Sequence, residues 1–160
     1  MEKTKIHEYL PDWSEQLAKR GIALSGYVLM PNHLHLLVFV QPECQGLNKV
    51  IGESKRFMAY EIVKRLKERN ELELLHQLSL GVQLEEAKKG KRHQVFRLSF
   101  DAKELSSDEE VERVLDYIHH NPVSGKWNLA ADFVSYPYSS ARYYELGESS
   151  ALLLRHYKKI

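Results

Sequence analysis

The residues of this sequence best suited to chemistry are two histidines inside a run that otherwise favours a strand. His33 and His35 lie in "YVLMPNHLHLLV", Tyr27 to Val38, where an aliphatic residue would pack better at either place. Side chains on a strand alternate faces, so the two imidazoles share a face, about 7 Å apart along the chain. That spacing lets both rings reach one ion held above the sheet. It is equally met by strand histidines that hydrogen-bond to the protein and hold nothing. Two imidazoles are also an incomplete site, because a catalytic ion needs a further ligand and an open position for substrate.

A second constellation lies in "LDYIHHNP". Val111, Val114, Leu115 and Ile118 mark the apolar face of a helix there. Tyr117 and Asn121 are four residues apart, about 40° around the axis and about 6 Å along it, on a side that borders this face. A carboxamide oxygen suits a hard cation such as Mg²⁺ or Mn²⁺. A phenol can form a covalent intermediate. The plainer alternatives are a core-edge tyrosine and an asparagine that ends a helix before proline. His120 faces away from the apolar stripe and His119 lies on its far edge, so both read as structural.

The elements that must position these groups follow from spacing. Ile6, Leu10, Trp13 and Leu17 form one helical face, with Pro11 as a restart or kink and Gly21 as the stop. Ile22–Met30 and His33–Val40 read as two strands joined by the turn chemistry of "MPN", hence a hairpin. Leu47, Ile51, Met58, Ile62 and Leu66 mark a long helix with its basic residues off the stripe. Residues 71–80 read as a short helix, 82–92 as a mobile loop and "HQVFRLSF" as a strand. "SSDEEVERVLDYIHHNP" carries a capping box at Ser107 and Glu110, acids in its first turn and a stop at Pro122. The C-terminal part is aromatic and loop-rich.

The bulk properties describe a soluble globular chain. It has 160 residues, 43% hydrophobic and 28% charged, which suits one domain over 1–160 with residues 123–160 packing on it as an extension. A lone cysteine, Cys44, rules out an internal disulfide and fits the cytoplasm. No apolar run has the length of a membrane span, and the N-terminus lacks a signal-peptide core. The net charge of +1 conceals a basic stretch, Lys88 to Arg97, beside an acidic one, Asp101 to Glu112.

Taken together, "YVLMPNHLHLLV", "LDYIHHNPVSGKWNL" and "YPYSSARYY" resemble the single-tyrosine transposases with a His-hydrophobic-His motif, in particular the REP-associated branch. The similarity runs from about Ile6 to Tyr144 and is weakest between Asn70 and Lys91. It implies an α+β, ferredoxin-like fold with helices packed on an antiparallel sheet. It implies roles residue by residue: His33 and His35 as metal ligands, Asn121 as the third ligand, Tyr117 as the nucleophile. The implied cofactor is a divalent cation, Mg²⁺ or Mn²⁺, and the implied partner is single-stranded or hairpin DNA. No membrane and no small-molecule substrate is expected, and monomer against homodimer stays open.

The implied reaction is transesterification through a 5′-phosphotyrosine, with the cation neutralising charge on the phosphate. Lys55, Arg56, Lys91, Arg92 and Arg97 are the candidates for phosphate contacts, and a solvated surface explains them as well. Trp127, Tyr136, Tyr138 and Tyr143 are candidates for base stacking, or for packing the core. The family fold opens with a strand ahead of the first helix, and "MEKTK" is too short and polar to form it. A central strand without that neighbour would lose backbone partners. The expected origins are an upstream start, a strand from a partner chain, or decay of the copy. The alternative to an active enzyme is therefore an inactive or domesticated hairpin-DNA-binding protein.

Overall fold

The structure is a computed structural model that describes residues 3–97 and 100–160. Its element order begins with a 3-10 turn, Ile6–Glu8, and helix α1, Leu10–Ala18. Pro11 sits in the first turn of α1, where its missing N–H leaves no helical bond unmade. The hairpin strands follow as β1, Ile22–Leu29, and β2, Leu34–Val40. Then come α2, Leu47–Glu68, α3, Leu72–Leu80, and the five-residue α4, Leu84–Lys88. Helix α5, Asp108–His120, runs into a 3-10 turn at Asn121–Val123, and α6 spans Ala141–Glu145.

Strands β1 and β2 pair antiparallel, with Leu29 opposite Leu34 and Val28 opposite His35. A bulge at Ser25 shifts the register between Leu24 and Gly26. The Met30 N–H donates to the His33 carbonyl at 2.8 Å and closes the turn over Pro31 and Asn32. Alternation then sorts the side chains into two cores. Tyr27, Leu29, Leu34, Leu36 and Val38 pack with α1 and α2 around Trp13, Leu17, Val50 and Met58. Val28, Met30 and Leu37 pack with Leu115 and Ile118 of α5 on the other face. Helices therefore cover both faces of the hairpin.

Helix α5 is capped as its sequence demands. Ser107 Oγ accepts from the Glu110 N–H at 3.3 Å, and the Glu110 carboxylate accepts from the Ser106 N–H at 2.8 Å. Its close approach to the sheet depends on Gly26. A Cβ there would come within 2.5 Å of Leu115 Cδ2.

The outer edge of β1 is sealed by the C-terminal part of the chain. The Leu29 N–H donates to the Tyr138 carbonyl at 2.8 Å, and the Ser140 N–H to the Tyr27 carbonyl at 2.9 Å. Ser140 Oγ accepts from the Tyr27 N–H at 2.9 Å. Two phenols serve as further donors: Tyr136 to the Leu29 carbonyl at 2.7 Å, and Tyr144 to the Ser25 carbonyl at the bulge at 2.6 Å. Arg155 N–H closes on the Leu24 carbonyl at 2.8 Å. Every β1 residue is buried. The far edge of β2 meets no backbone partner among the described residues, and Phe39 there is 44% exposed.

Two expectations about elements change. Residues 84–88 form a helix instead of a loop. Residues 93–97 form no strand: Val95 and Phe96 alternate too briefly and find no strand to pair with among the described residues. Leu98 and Ser99 of the same expected strand lie outside the described residues. The fold is thus α+β with a two-stranded antiparallel sheet among the described residues. No described helix is long and apolar enough to cross a membrane. Cys44 is a free thiol.

Candidate active site

The odd-numbered face of β2 is the face that α5 covers, so His33, His35 and the α5 side chains are directed into one region. The His33 and His35 rings stand edge to face with centroids 4.7 Å apart. The Tyr117 ring lies 5.6 Å from that of His35, again edge to face. More than eighty positions separate Tyr117 from His35 in sequence, and the packing of Leu115 and Ile118 on Leu37 and Val28 joins them. Asn121 follows Tyr117 by one turn, at the C-terminal end of α5, and is half-buried.

Most polar side-chain atoms of this region have no partner among the described residues. Tyr117 is 60% exposed, and its hydroxyl has no partner among the described residues. The side chains of His35 and Asn121 likewise make no hydrogen bond to the described residues. His33 Nδ1 lies 2.7 Å from Asn32 Oδ1, and its Nε2 makes no hydrogen bond to the described residues. Burial, reinforced by the neighbouring His33, lowers the pKa of His35 and favours its neutral, ligating form.

The residue types here, two imidazoles and a carboxamide, are ones that could hold a divalent cation. Such a set would supply three neutral ligands and leave positions for substrate oxygens. No group of three or more His, Cys, Asp and Glu that could hold a metal ion gathers among the described residues.

The other histidines of α5 are tied to the protein. His119 is 3% exposed, with Nε2 2.9 Å from Ser140 Oγ. Burial, with a smaller push from His120, takes its pKa down to about 4 despite the opposing charge of Asp116. His120 Nδ1 lies 3.0 Å from the Asp116 main-chain oxygen, and its ring packs 4.1 Å from that of Phe133. The apolar stripe located His119 correctly, but Ser140, its partner, is 21 residues away and carried no local signal.

The expected phosphate contacts are distributed differently. Lys55 donates to the Arg97 carbonyl at 2.7 Å and lies 5.9 Å over the Phe96 ring. Burial, then the like charge of Lys91, lowers its pKa. Lys91 pairs with Glu86 at 3.5 Å. Arg56 covers the Phe57 ring at 5.4 Å, and Arg92 and Arg97 are exposed. Lys55 and Arg56 belong to α2, which packs on the sheet face opposite Tyr117. A different cation borders the histidines: Lys126, whose Nζ lies 5.2 Å over the Trp127 ring, itself 6.4 Å from that of His33. Sequence reasoning missed Lys126. The aromatic residue that follows it was its only signal.

The chain matches no family model, and no curated protein or solved structure is similar enough to count as a match.

Proposed function

We propose that the chain is a phosphodiester-transferring enzyme that uses Tyr117 as its nucleophile beside a divalent cation held by His33, His35 and Asn121. Within that class, the reading is a single-tyrosine transposase or nuclease of ferredoxin-like descent, acting on single-stranded or hairpin DNA. The observation that carries it is the meeting of the two imidazoles and the phenol, whose ring centroids lie 4.7 and 5.6 Å apart in succession. Unpartnered nitrogens and an exposed hydroxyl at the same place support it.

A bound Mg²⁺ or Mn²⁺ would supply positive charge for the phosphate oxygens. The remaining steps belong to the chain itself. Tyr117 Oη forms a bond to phosphorus while the bond to the 3′ oxygen breaks, leaving a 5′-phosphotyrosine and a 3′-hydroxyl. The phenol proton passes to solvent, which the exposure of Tyr117 allows, and the departing 3′ oxygen takes one up. A later 3′-hydroxyl reverses these bonds and releases the tyrosine.

The experiment is a gel assay with labelled single-stranded hairpin DNA and Mn²⁺. A covalent protein–DNA adduct that disappears in Tyr117→Phe and on chelation is the expected result. A second reading, a hairpin-DNA-binding protein that does not cut, is favoured by the far edge of β2, where the strand that carries His35 has no second neighbour among the described residues. Salt-sensitive binding with no adduct would select it.

A further inference from the structure

We infer that Trp127 and Lys126 form a nucleotide platform beside the histidine pair, taking an unpaired base on the indole and the adjoining phosphate on the ammonium. The inference rests on the single-stranded DNA reading above and names the part of the substrate that seats next to the reacting phosphate.

The two tryptophans show why Trp127 calls for a ligand. Trp13 is 4% exposed, packs in the α1–α2 core and directs its indole N–H to the Ser54 carbonyl at 3.4 Å. Trp127 is only partly buried against the α5 core. Its indole N–H meets no acceptor among the described residues. Packing covers part of its ring, whose centroid lies 6.4 Å from that of His33.

The loop that carries the indole is built to hold it still. Gly125 adopts φ +61°, a turn conformation that side chains disfavour. The Trp127 N–H donates to the Ser124 carbonyl at 3.1 Å, and the Leu129 N–H to the carbonyl of buried Pro122 at 3.0 Å. The same loop starts at Asn121, so platform and expected ligand lie on one connected turn.

Charge completes the case. Lys126 is exposed and forms no ion pair among the described residues, while its ammonium rests over the indole. An indole face with an exposed cation matches the two faces of a single-stranded nucleotide, a base surface and a phosphate. Bases inside a duplex are already stacked on their neighbours, so the platform selects unpaired flanks. It is tolerant of base identity, because every base offers a π surface.

The test uses the full chain as Tyr117→Phe, with chelator present, so that no cutting occurs. Titration with a short oligothymidylate is followed by tryptophan fluorescence and, separately, by anisotropy of a dye on the DNA. Saturable quenching is expected, and it reports Trp127 because buried Trp13 supplies a constant background. Trp127→Ala is expected to weaken binding about tenfold, and Trp127→Phe to restore most of it. Exposed Lys126→Ala should flatten the salt dependence by about one phosphate contact. A blunt hairpin without unpaired flanks should bind without quenching. Binding by anisotropy with no quenching and unchanged affinity in Trp127→Ala would overturn the platform and leave the parent reading standing. No binding of single-stranded DNA by either measure would overturn both.

Discussion

The two histidine pairs of this protein sit in neighbouring regions and are treated in opposite ways. His119 and His120 each have one ring nitrogen engaged, by Ser140 and by Asp116, and their rings are packed against Tyr144 and Phe133. His33 and His35 have one nitrogen engaged between them, His33 Nδ1, by Asn32. A buried polar group without a partner costs stability, so satisfied imidazoles act as structure. The part-exposed imidazoles of His33 and His35, which share a face with an exposed phenol, are instead the pair that the proposed function uses. The difference separates a sealed region, built on Ser140 and the β1 edge, from an open one, built on β2 and the outer side of α5.

The comparison breaks most sharply at the open pair. His35→Ala should reduce Mn²⁺-dependent adduct formation on the order of 100-fold or more, since a direct ligand is lost. The thermal midpoint should move by only a few degrees, because His35 is half-exposed and its nitrogens hold nothing else in place. Equal losses of activity and stability would place His35 in the sealed class.

Ser140→Ala should do the reverse. It strips the buried Tyr27 N–H and the His119 ring of their shared partner, at about 2–3 kcal/mol by denaturant titration. Mn²⁺ affinity of the folded molecules should be preserved.

Tyr136 sharpens the contrast through pH. Its phenol donates to the Leu29 carbonyl, and burial pushes its pKa up to about 12. A folded-state pKa above the unfolded value of about 10 means that its contribution is fully present below pH ~10 and is lost as pH rises through ~12. Stability measured across that range should fall more steeply for the unaltered chain than for Tyr136→Phe. Parallel curves would remove Tyr136 from the seal.

His120→Ala should have the smallest effect, within about 0.5–1 kcal/mol, because its contacts lie at the surface. Adduct formation should be unchanged.

Much of this contrast was legible before any coordinates. The hairpin was visible from the alternation of Ile22–Met30 and His33–Val40 around "MPN", and α5 from Ser107, Glu110 and Pro122, because such signals are local. The shared face of His33 and His35 follows from strand geometry alone. The placement of Tyr117 beside them came from a resemblance between motifs, since no spacing rule crosses from a strand to a helix eighty positions on.

What stayed hidden was long-range. The seal on β1 joins Ser25, Tyr27 and Leu29 to Tyr144, Ser140 and Tyr136, more than a hundred positions away, through single hydroxyls with no periodicity. Helix α4 has too few residues to show an apolar stripe. Charge alone marked Lys55 and Arg56, and charge does not tell which face of a sheet a helix will cover.

The central claim is that His33, His35 and Tyr117 surround one cation site. Paramagnetic broadening of assigned ring resonances by substoichiometric Mn²⁺ tests it most directly. The account predicts that the His33 and His35 signals vanish first and Tyr117 next, with His156 and Trp13 still sharp. Loss of other ring signals first, with His33 and His35 untouched, would contradict it.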